Sequence, residues 1–359
     1  MVDPTVMSMR SFLDGLIKRA DNGTVLVLAR LNNAKRIINF WSVSYFMKSR
    51  YSILDAIGNT PLVRLNKITR GLQSEILVKL EYYNPTGSYK DRMALAMIDE
   101  AEKEGKLKHG YTVVECTGGS TGSSLAFVCA VKGYKMKIVS SDAFSEEKIR
   151  TMKVFGADVI IVPSKEHKVT PDLIPRMMDK AKQLASRPKT YWTNQFYNRH
   201  QLKGHNKMGE EILAQTNGLL DAFVASVGTA GCAMGVAEVL KAKDPNIKVV
   251  VVEPAESPVI LKGVAGEHHI EGIGVGMIPP LLRKDLYDEV IAVKEEDAKQ
   301  MARRLAREEG IFSGTSTGAN MVASIELAKR VKRGSKIVTV AVDTGLKYLW
   351  TEPYLELVL

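Results

Sequence analysis

Cysteine, aromatic side chains and long apolar runs are all scarce in this chain of 359 residues. The three cysteines, Cys116, Cys129 and Cys232, are odd in number and far apart, and no Cys-x-x-Cys pair occurs. This argues against a disulfide framework and against a zinc site, so we expect no metal. A reducing, cytoplasmic compartment is the simpler prediction. No apolar run reaches the roughly 18 residues of a membrane helix, so we expect no membrane partner.

The positive charge is concentrated at one end of the chain. Residues 1–50 carry eight Lys or Arg against three Asp, which is half of the formal net charge of +10. The remainder has a modest basic excess and no nucleic-acid-binding motif, so we expect no nucleic-acid partner. Residues 1–46 are predicted to be an N-terminal extension. It is either disordered, or translated upstream of a start at Met47, or an organellar targeting segment, which Asp3, Asp14 and Asp21 make the weaker reading.

From Tyr51 onward, short β-branched runs alternate with helical patterns, which predicts an α/β fold. A mostly parallel sheet covered on both faces is expected. Ser145 is a predicted helix cap and Gly156 a helix end, and Thr170-Pro171 is predicted to begin a further helix. The predicted strands are Ile76–Leu80, Thr112–Glu115, Met136–Ser140, Val159–Val162, Ala222–Val227, Val249–Glu253 and Ile337–Val342.

A lysine follows a turn at the first of these strand–helix junctions. Asn84-Pro85-Thr86-Gly87 is a turn signal, and Lys90 comes just before a helix predicted to begin near Met93. Ligands bind at such junctions in α/β enzymes. A partly desolvated lysine has a lowered pKa and can form an imine with a carbonyl group. Asn84 is interpreted as a turn residue rather than a catalytic one.

Four further segments could contact a ligand. Glu115–Ser124 and Val227–Gly235 are rich in Gly, Ser and Thr, and each joins a strand to a helix, where backbone N–H groups hold anions. Gly272–Pro280 is predicted to be a buried loop shaped around a ligand. Val342–Tyr348 follows the last strand, at a carboxyl end. Each segment alone is a weak signal, because ordinary tight turns share the composition.

Taken in order with Ile53–Leu65, these segments resemble the fold-type II pyridoxal-phosphate enzymes, and within them the cysteine synthase (O-acetylserine sulfhydrylase) and cystathionine β-synthase family. The resemblance covers nearly all of residues 51–349. It implies a tryptophan-synthase-β-like architecture of two α/β domains with twisted, mostly parallel sheets, and a homodimer. Residues 47–89 and 194–359 would form the large cofactor domain, and residues 90–193 the small domain that carries the substrate loop.

The resemblance also assigns roles to residues. Lys90 would form the imine with pyridoxal 5′-phosphate and remove the substrate α-proton. Thr344 would face the pyridine nitrogen, although a carboxylate at the neighbouring Asp343 would reverse that electronic effect. Ser120 stands where the family has an asparagine that contacts the cofactor 3′ oxygen. The cofactor phosphate would be bound by Gly228, Thr229, Ala230, Gly231 and Cys232, where the family has Gly-Thr-Gly-Gly-Thr. The substrate carboxylate would be bound by Thr117, Gly118, Gly119, Thr121 and Gln195, and the family has a serine at the position of Gly118.

The implied reaction is β-replacement, which forms L-cysteine from O-acetylserine, or a similarly activated serine, and sulfide through an aminoacrylate. The loop Gly272–Pro279 is closest to that of the cysteine synthases. Cystathionine β-synthase-like activity and serine or threonine dehydratase activity are alternatives. The departures at Gly118, Ser120 and Cys232 keep open a third alternative, a catalytically lapsed regulatory member of the family.

Overall fold

The computed structural model describes residues 17–19, 25–27, 51–166, 172–351 and 353–355. The chain divides into two compact units, residues 1–50 and residues 51–359. In the first unit, β1 (Ile17–Arg19) pairs antiparallel with β2 (Val25–Val27). The rest of the predicted N-terminal extension lies outside the described residues, as does the predicted helix start at Thr170-Pro171.

Two sheets organise the second unit. A six-stranded sheet has the spatial order β11-β10-β9-β12-β4-β3, and a four-stranded sheet has the order β7-β6-β5-β8. Every neighbouring pair is parallel except β3 and β4. This confirms the predicted mostly parallel α/β fold. The strands are β3 (Leu62–Arg64), β4 (Glu75–Leu80), β5 (Thr112–Cys116), β6 (Lys135–Ser141), β7 (Asp158–Val162), β8 (Thr190–Trp192), β9 (Ala222–Ser226), β10 (Lys248–Pro254), β11 (Glu289–Val293) and β12 (Lys336–Ala341).

Helices connect the parallel strands. They are α1 (Lys90–Lys103), α2 (Ser120–Lys132), α3 (Glu146–Val154), α4 (Leu173–Ala185), α5 (Gln201–Gln215), α6 (Gly231–Lys243), α7 (Val259–Lys262), α8 (Glu295–Arg304) and α9 (Thr315–Ala328). Short 3-10 helices occur at Ile53–Ala56, Glu81–Tyr83, Lys284–Leu286 and Gly345–Tyr348, and a π-helical turn at Leu305–Glu309. Within the described residues, no helix has both the length and the apolar character needed to cross a membrane.

The central strands are buried on both faces. In β9, Phe223 and Ala225 belong to one apolar cluster, whereas Val224 belongs to the cluster on the opposite face. In the neighbouring β10, Val251 and Val252 divide between the same two clusters. Consecutive side chains of a strand point to opposite faces, so an uninterrupted apolar strand requires a cover of helices on each side.

The strands of the second unit that the sequence did not reveal all lie at sheet edges. Leu62–Arg64, Thr190–Trp192 and Glu289–Val293 are short and only partly buried. Edge strands need less apolar surface than central ones, because one side has no neighbour. Two details at helix ends also differ. Helix α1 begins at Lys90, earlier than the predicted Met93. Ser145 does occupy the N-cap, but its hydroxyl donates to the Glu147 carboxylate instead of accepting from the backbone.

The predicted burial of the loop Gly272–Pro280 is wrong for most of its length. Ile273 and Pro279 are buried, but Val275, Met277 and Ile278 are between 38% and 56% exposed. Glycines with positive φ at 272, 274 and 276 explain the irregular backbone. The apolar composition was therefore a poor guide to burial here.

Candidate active site

The segments that follow β4 and β12 are joined by backbone hydrogen bonds. The N–H of Tyr89 donates to the carbonyl of Val342 at 3.1 Å, and the N–H of Thr344 donates to the carbonyl of Gly87 at 2.9 Å. Ser88 and Asp343 form an isolated antiparallel bridge at the same place. The lysine turn and the C-terminal segment thus meet at the carboxyl edge of the six-stranded sheet, as expected for ligand-binding loops.

Lys90 is a buried amine at the first position of α1. It is only 9% exposed, and its Nζ lies 4.6 Å from the centre of the Tyr89 ring. Among the residues that the structure describes, none forms an ion pair or a side-chain hydrogen bond with this amine. Burial lowers the pKa of Lys90 and outweighs the opposing charges of Asp343 and Cys232. The protein therefore favours the neutral, nucleophilic form of the amine.

A network of buried charges fixes the start of α1. The guanidinium of Arg92 contacts Glu81 at 2.6 Å and Glu211 at 2.8 Å, and Lys79 contacts Glu211 at 2.6 Å. The two cations hold the pKa of Glu211 at about 2, although burial alone would raise it. Paired charges of this kind are costly to break one at a time. They connect β4, α1 and α5 directly beside Lys90.

Two more features hold the lysine turn in place. Helix α5 approaches α1 at Gly204, where an added Cβ would collide with the carbonyl oxygen of Arg92. Asn84 accepts from the N–H of Gly58 at 2.8 Å and donates to the carbonyl of Glu81 at 2.6 Å. Asn84 therefore lies in the turn as a structural residue, in agreement with its interpretation from the sequence.

A buried carboxyl organises the loop after β5. Glu115 accepts from the N–H of Cys116 at 2.7 Å, from the N–H of Gln195 at 3.0 Å and from the hydroxyl of Thr193 at 2.7 Å. Burial raises the pKa of Glu115 to about 7, although these donors favour the charged form. The Gln195 side chain then accepts from Thr121 at 2.8 Å. Glu115 thereby holds two residues of the predicted carboxylate site against each other.

Gly118 has no side chain because the Phe144 ring fills the adjacent space. A Cβ at this position would overlap the ring of Phe144, whereas a Cβ at Gly119 would meet nothing within 4 Å. The absence of the family serine at position 118 is therefore matched by a neighbouring phenylalanine. The hydroxyl of Thr117 meanwhile accepts from the N–H of Gly119 at 3.2 Å and stabilises the turn.

The next cluster surrounds Asp343, which is 4% exposed. Its carboxylate accepts from Ser88 at 2.5 Å, from Tyr348 at 3.2 Å and from Ser120. Lys347 donates to the Ser120 hydroxyl at 3.2 Å. Burial raises the pKa of Asp343, but the Lys347 charge and the hydroxyl donors outweigh it and hold that pKa below its ordinary value. The carboxylate is therefore ionised at neutral pH.

Thr344 occupies a different environment from its neighbour Asp343. Its hydroxyl accepts from the N–H of Leu346 at 3.3 Å and caps the 3-10 helix Gly345–Tyr348. Its methyl group lies against Gly87, where an added Cβ would come within 2.6 Å. Of these adjacent residues, it is Asp343 that faces Ser120. The two-fold alternation of an extended chain accounts for this separation.

The turn Gly228–Cys232 joins β9 to α6 and is buried throughout. Thr229 donates to the side-chain oxygen of Gln201 at 2.7 Å. An added Cβ on Gly228 would collide with the carbonyl of Gly272, and one on Gly231 with the Gln201 side chain. Ala230 adopts φ 66°, which a glycine would adopt without strain. Cys232 is a buried thiol, and burial raises its pKa to about 12.

Comparison with known proteins gives a match over most of the second unit. The family model described as pyridoxal-phosphate dependent enzyme matches residues 53–343. The chain belongs to the pyridoxal-phosphate dependent enzyme family. A cysteine synthase of Staphylococcus aureus is 42% identical over 305 residues, which cover 84% of this chain and 96% of the relative.

Two solved structures show the same relationship for this pyridoxal-phosphate dependent enzyme. The cysteine synthase of Entamoeba histolytica has a TM-score of 0.83 at 37% identity and covers 87% of this chain and 93% of its own. The O-acetylserine dependent cystathionine β-synthase of Helicobacter pylori has a TM-score of 0.80 at 35% identity. The match covers 86% of this chain and 100% of the H. pylori chain. The predicted family, fold-type II architecture and pyridoxal-phosphate dependence are confirmed.

The described residues fit this cofactor. The turn Gly228–Cys232 is a cradle in which side chains would collide with backbone and neighbouring groups. No described residue accepts a hydrogen bond from the N–H groups of Gly228, Thr229 or Ala230. Buried N–H groups normally have partners, so these three suit a phosphate at the start of a helix. Lys90 supplies the buried amine that an imine needs.

Three residues that contribute to the site received no individual role from the sequence: Glu115, Ser88 and Lys347. The sequence could have indicated Glu115, because a buried carboxylate in the apolar strand Thr112–Cys116 needs hydrogen-bond partners. Nothing in the sequence singled out Ser88 or Lys347, although Lys347 lies in the predicted ligand segment Val342–Tyr348. Their partners, Asp343 for Ser88 and Ser120 for Lys347, are distant in sequence and are brought close only by the fold.

Proposed function

We propose that this enzyme catalyses β-replacement, converting O-acetylserine, or a similarly activated serine, and sulfide into L-cysteine and the leaving group. The observation that carries the proposal is Lys90, buried without an ionic partner among the described residues and with a lowered pKa. A neutral amine at this position both forms an imine and accepts a proton. When bound, pyridoxal phosphate supplies the electron sink for bond breaking at the substrate α-carbon.

In this proposal Lys90 takes the α-proton at Nζ and later returns it. The backbone N–H groups of Gly228–Cys232 bind the cofactor phosphate, with Thr229 held by Gln201. The loop Thr117–Thr121 and Gln195 bind and orient the substrate carboxylate, and Glu115 keeps that loop and Gln195 in register. Thr344 is assigned to the pyridine nitrogen by resemblance. The ionised Asp343 nearby adds a negative charge to the site.

A direct experiment follows the purified protein after loading with pyridoxal phosphate. We expect a visible absorbance band, a change in that band when O-acetylserine is added alone, and release of L-cysteine and acetate once sulfide is added. Lys90→Ala removes the amine and should abolish all three. Lys67→Ala, a change at an exposed lysine, is the matched control. A wild-type protein without the band, or a Lys90→Ala protein that keeps it, would contradict the proposal.

The competing functions give different products in the same assay. Formation of a 2-oxo acid from serine or threonine would show that the enzyme is a dehydratase and not a β-replacement enzyme. Consumption of homocysteine would assign the cystathionine reaction, a second candidate that the likeness to the Helicobacter pylori enzyme supports. A normal band with no turnover of any substrate would assign the lapsed, regulatory role.

We also propose a cytoplasmic homodimer in which residues 47–89 with 194–359, and residues 90–193, form the two domains. The four-stranded sheet lies between residues 112 and 192, which supports these limits. All three cysteines are buried, free thiols, which agrees with a reducing compartment. Sedimentation of the purified protein tests the dimer, since a monomer at micromolar concentration would contradict it.

A further inference from the structure

The hydroxyl of Ser120 is already engaged on both sides. It donates its proton to the Asp343 carboxylate and accepts from Lys347 Nζ at 3.2 Å. A serine hydroxyl carries one proton only. Ser120 in this orientation therefore has no donor left for an oxygen atom of a bound ligand, although it stands at the first position of α2.

Asp343 keeps Ser120 in this state. Its carboxylate accepts from Ser88 at 2.5 Å and from Tyr348 at 3.2 Å as well as from Ser120, and it is ionised at neutral pH. Every one of these hydroxyls points its proton at Asp343. Reorienting Ser120 would remove a hydrogen bond from a buried carboxylate, which is more costly than losing a neutral hydrogen bond.

Lys347 carries the donors that Ser120 lacks. An ammonium group has three N–H bonds, and the structure uses one of them on Ser120. Lys347 forms no ion pair with a described residue, whereas the nearby Lys148 is paired with Glu271 and lies 4.4 Å from the centre of the Tyr348 ring. Lys347 therefore has N–H groups left for a ligand, whereas Lys148 is held by Glu271. Burial lowers the pKa of Lys347, and the charge of the neighbouring Asp343 opposes this.

The backbone beside Lys347 favours the same kind of ligand. The N–H groups of Ser120 and Thr121 begin α2, and no described residue accepts from them. They add the positive end of a helix of 13 residues to the ammonium charge. An oxygen atom with a negative charge would be bound by both.

We propose that Lys347, rather than Ser120, donates to an anionic oxygen of the ligand at the start of α2. The oxygen belongs either to the 3′ position of the cofactor or to the substrate carboxylate, and the two arms of the experiment below distinguish these sources. The inference rests on the proposed function. It makes Lys347 a binding residue in place of the family asparagine.

The experiment compares loaded wild-type enzyme with Lys347→Met and Lys347→Arg. The first arm is the absorbance spectrum without substrate. A cation beside the cofactor oxygen stabilises its deprotonated form, so Lys347→Met should lose visible absorbance to a near-ultraviolet band, with the pH midpoint moved upward. The second arm is KM for O-acetylserine. If the oxygen is the substrate carboxylate, the resting spectrum stays unchanged and KM rises about 10- to 100-fold, with a smaller change in kcat.

Further variants make the outcome decisive. Lys347→Arg should restore most of either effect, because it keeps the charge. Lys284→Met removes an exposed lysine that lies over the Tyr287 ring, and should change neither arm. Ser120→Ala should have a smaller effect than Lys347→Met. A Lys347→Met protein with wild-type unfolding, spectrum and KM would overturn the inference, and so would a larger effect of Ser120→Ala. Loading and turnover of the wild type test the proposed function separately.

Discussion

The buried carboxyl of Glu115 should make the stability of this protein depend on pH. Its folded-state pKa is about 7 against an ordinary value of 4.5, because burial disfavours the charged form. The folded state therefore holds a proton more tightly than the unfolded state. The stabilisation is fully present below about pH 4.5 and is lost as the pH rises to about 7. At 1.36 kcal/mol per pKa unit, the difference is worth about 3 kcal/mol.

The hydrogen bonds around Glu115 allow both protonation states. The hydroxyl of Thr193 lies 2.7 Å from Glu115 Oε2 and 3.1 Å from the carbonyl of Val114. With a single proton, Thr193 can donate to Val114 and accept from a protonated Glu115, or donate to an ionised one. The groups that titrate nearby are the thiol of Cys116 and the phenol of Tyr191, and burial raises the pKa of both.

Glu115→Gln removes the titration. The amide cannot accept from the N–H of Gln195 with its nitrogen, so the variant should be about 1–3 kcal/mol less stable than the wild type with a protonated Glu115. This cost of the variant does not itself depend on pH. Urea unfolding of both proteins at pH 5 and pH 8, followed by circular dichroism, measures the difference. Between pH 5 and pH 8 we expect the wild type to lose about 2.5 kcal/mol of unfolding free energy relative to the variant. Glu267→Gln, at an exposed position, is the control. A constant difference between variant and wild type would refute the reasoning.

Three other substitutions test the packing of the site. Ala230→Gly should raise the free energy of unfolding by about 1 kcal/mol, because φ 66° strains an alanine, and a lower thermal midpoint would contradict this. Arg92→Met leaves Glu81 buried without its cation and should cost about 3–5 kcal/mol in urea unfolding. The control Arg64→Met, in an ion pair whose arginine side chain is 61% exposed, should cost less than about 1 kcal/mol. Gly118→Ser restores the family residue but meets Phe144, so it should destabilise by about 1–3 kcal/mol. In a protein that already carries Phe144→Ala, the same Gly118→Ser change should cost nothing. A cost that persists there would show that the strain lies elsewhere.

The residues predicted from the sequence are those whose role depends on local structure. Lys90, the turn Gly228–Cys232 and the loop Thr117–Thr121 each follow a strand and precede a helix, and α/β proteins place ligands at such junctions. Their positions along the chain therefore predict at which edge of the sheets a ligand would bind. The central strands were equally predictable, since burial on both faces leaves an uninterrupted apolar run such as Val249–Val252.

The remaining parts depend on contacts between distant segments. Strand alternation showed that only one of Asp343 and Thr344 could face a given side, but not which one, and the backbone pairing with Gly87 and Ser88 decides it. Lys347 is a half-buried residue of a short 3-10 helix, where a lysine is ordinarily solvated. The exposed loop Val275–Ile278 shows the opposite error, because an apolar composition did not lead to burial.

The close approach of α5 to α1 at Gly204 has a consequence for how the enzyme tolerates change. The backbone of α5 touches the backbone of the first turn of α1, with no room for a side chain between them. The spacing beneath Lys90 is therefore set by van der Waals contact between two backbones and not by the shapes of interchangeable core side chains. Substitutions elsewhere in the core will lower the melting temperature before they displace the amine. Stability can thus change without a change in the chemistry of Lys90. Gly204 is the exception, because a substitution there would affect both.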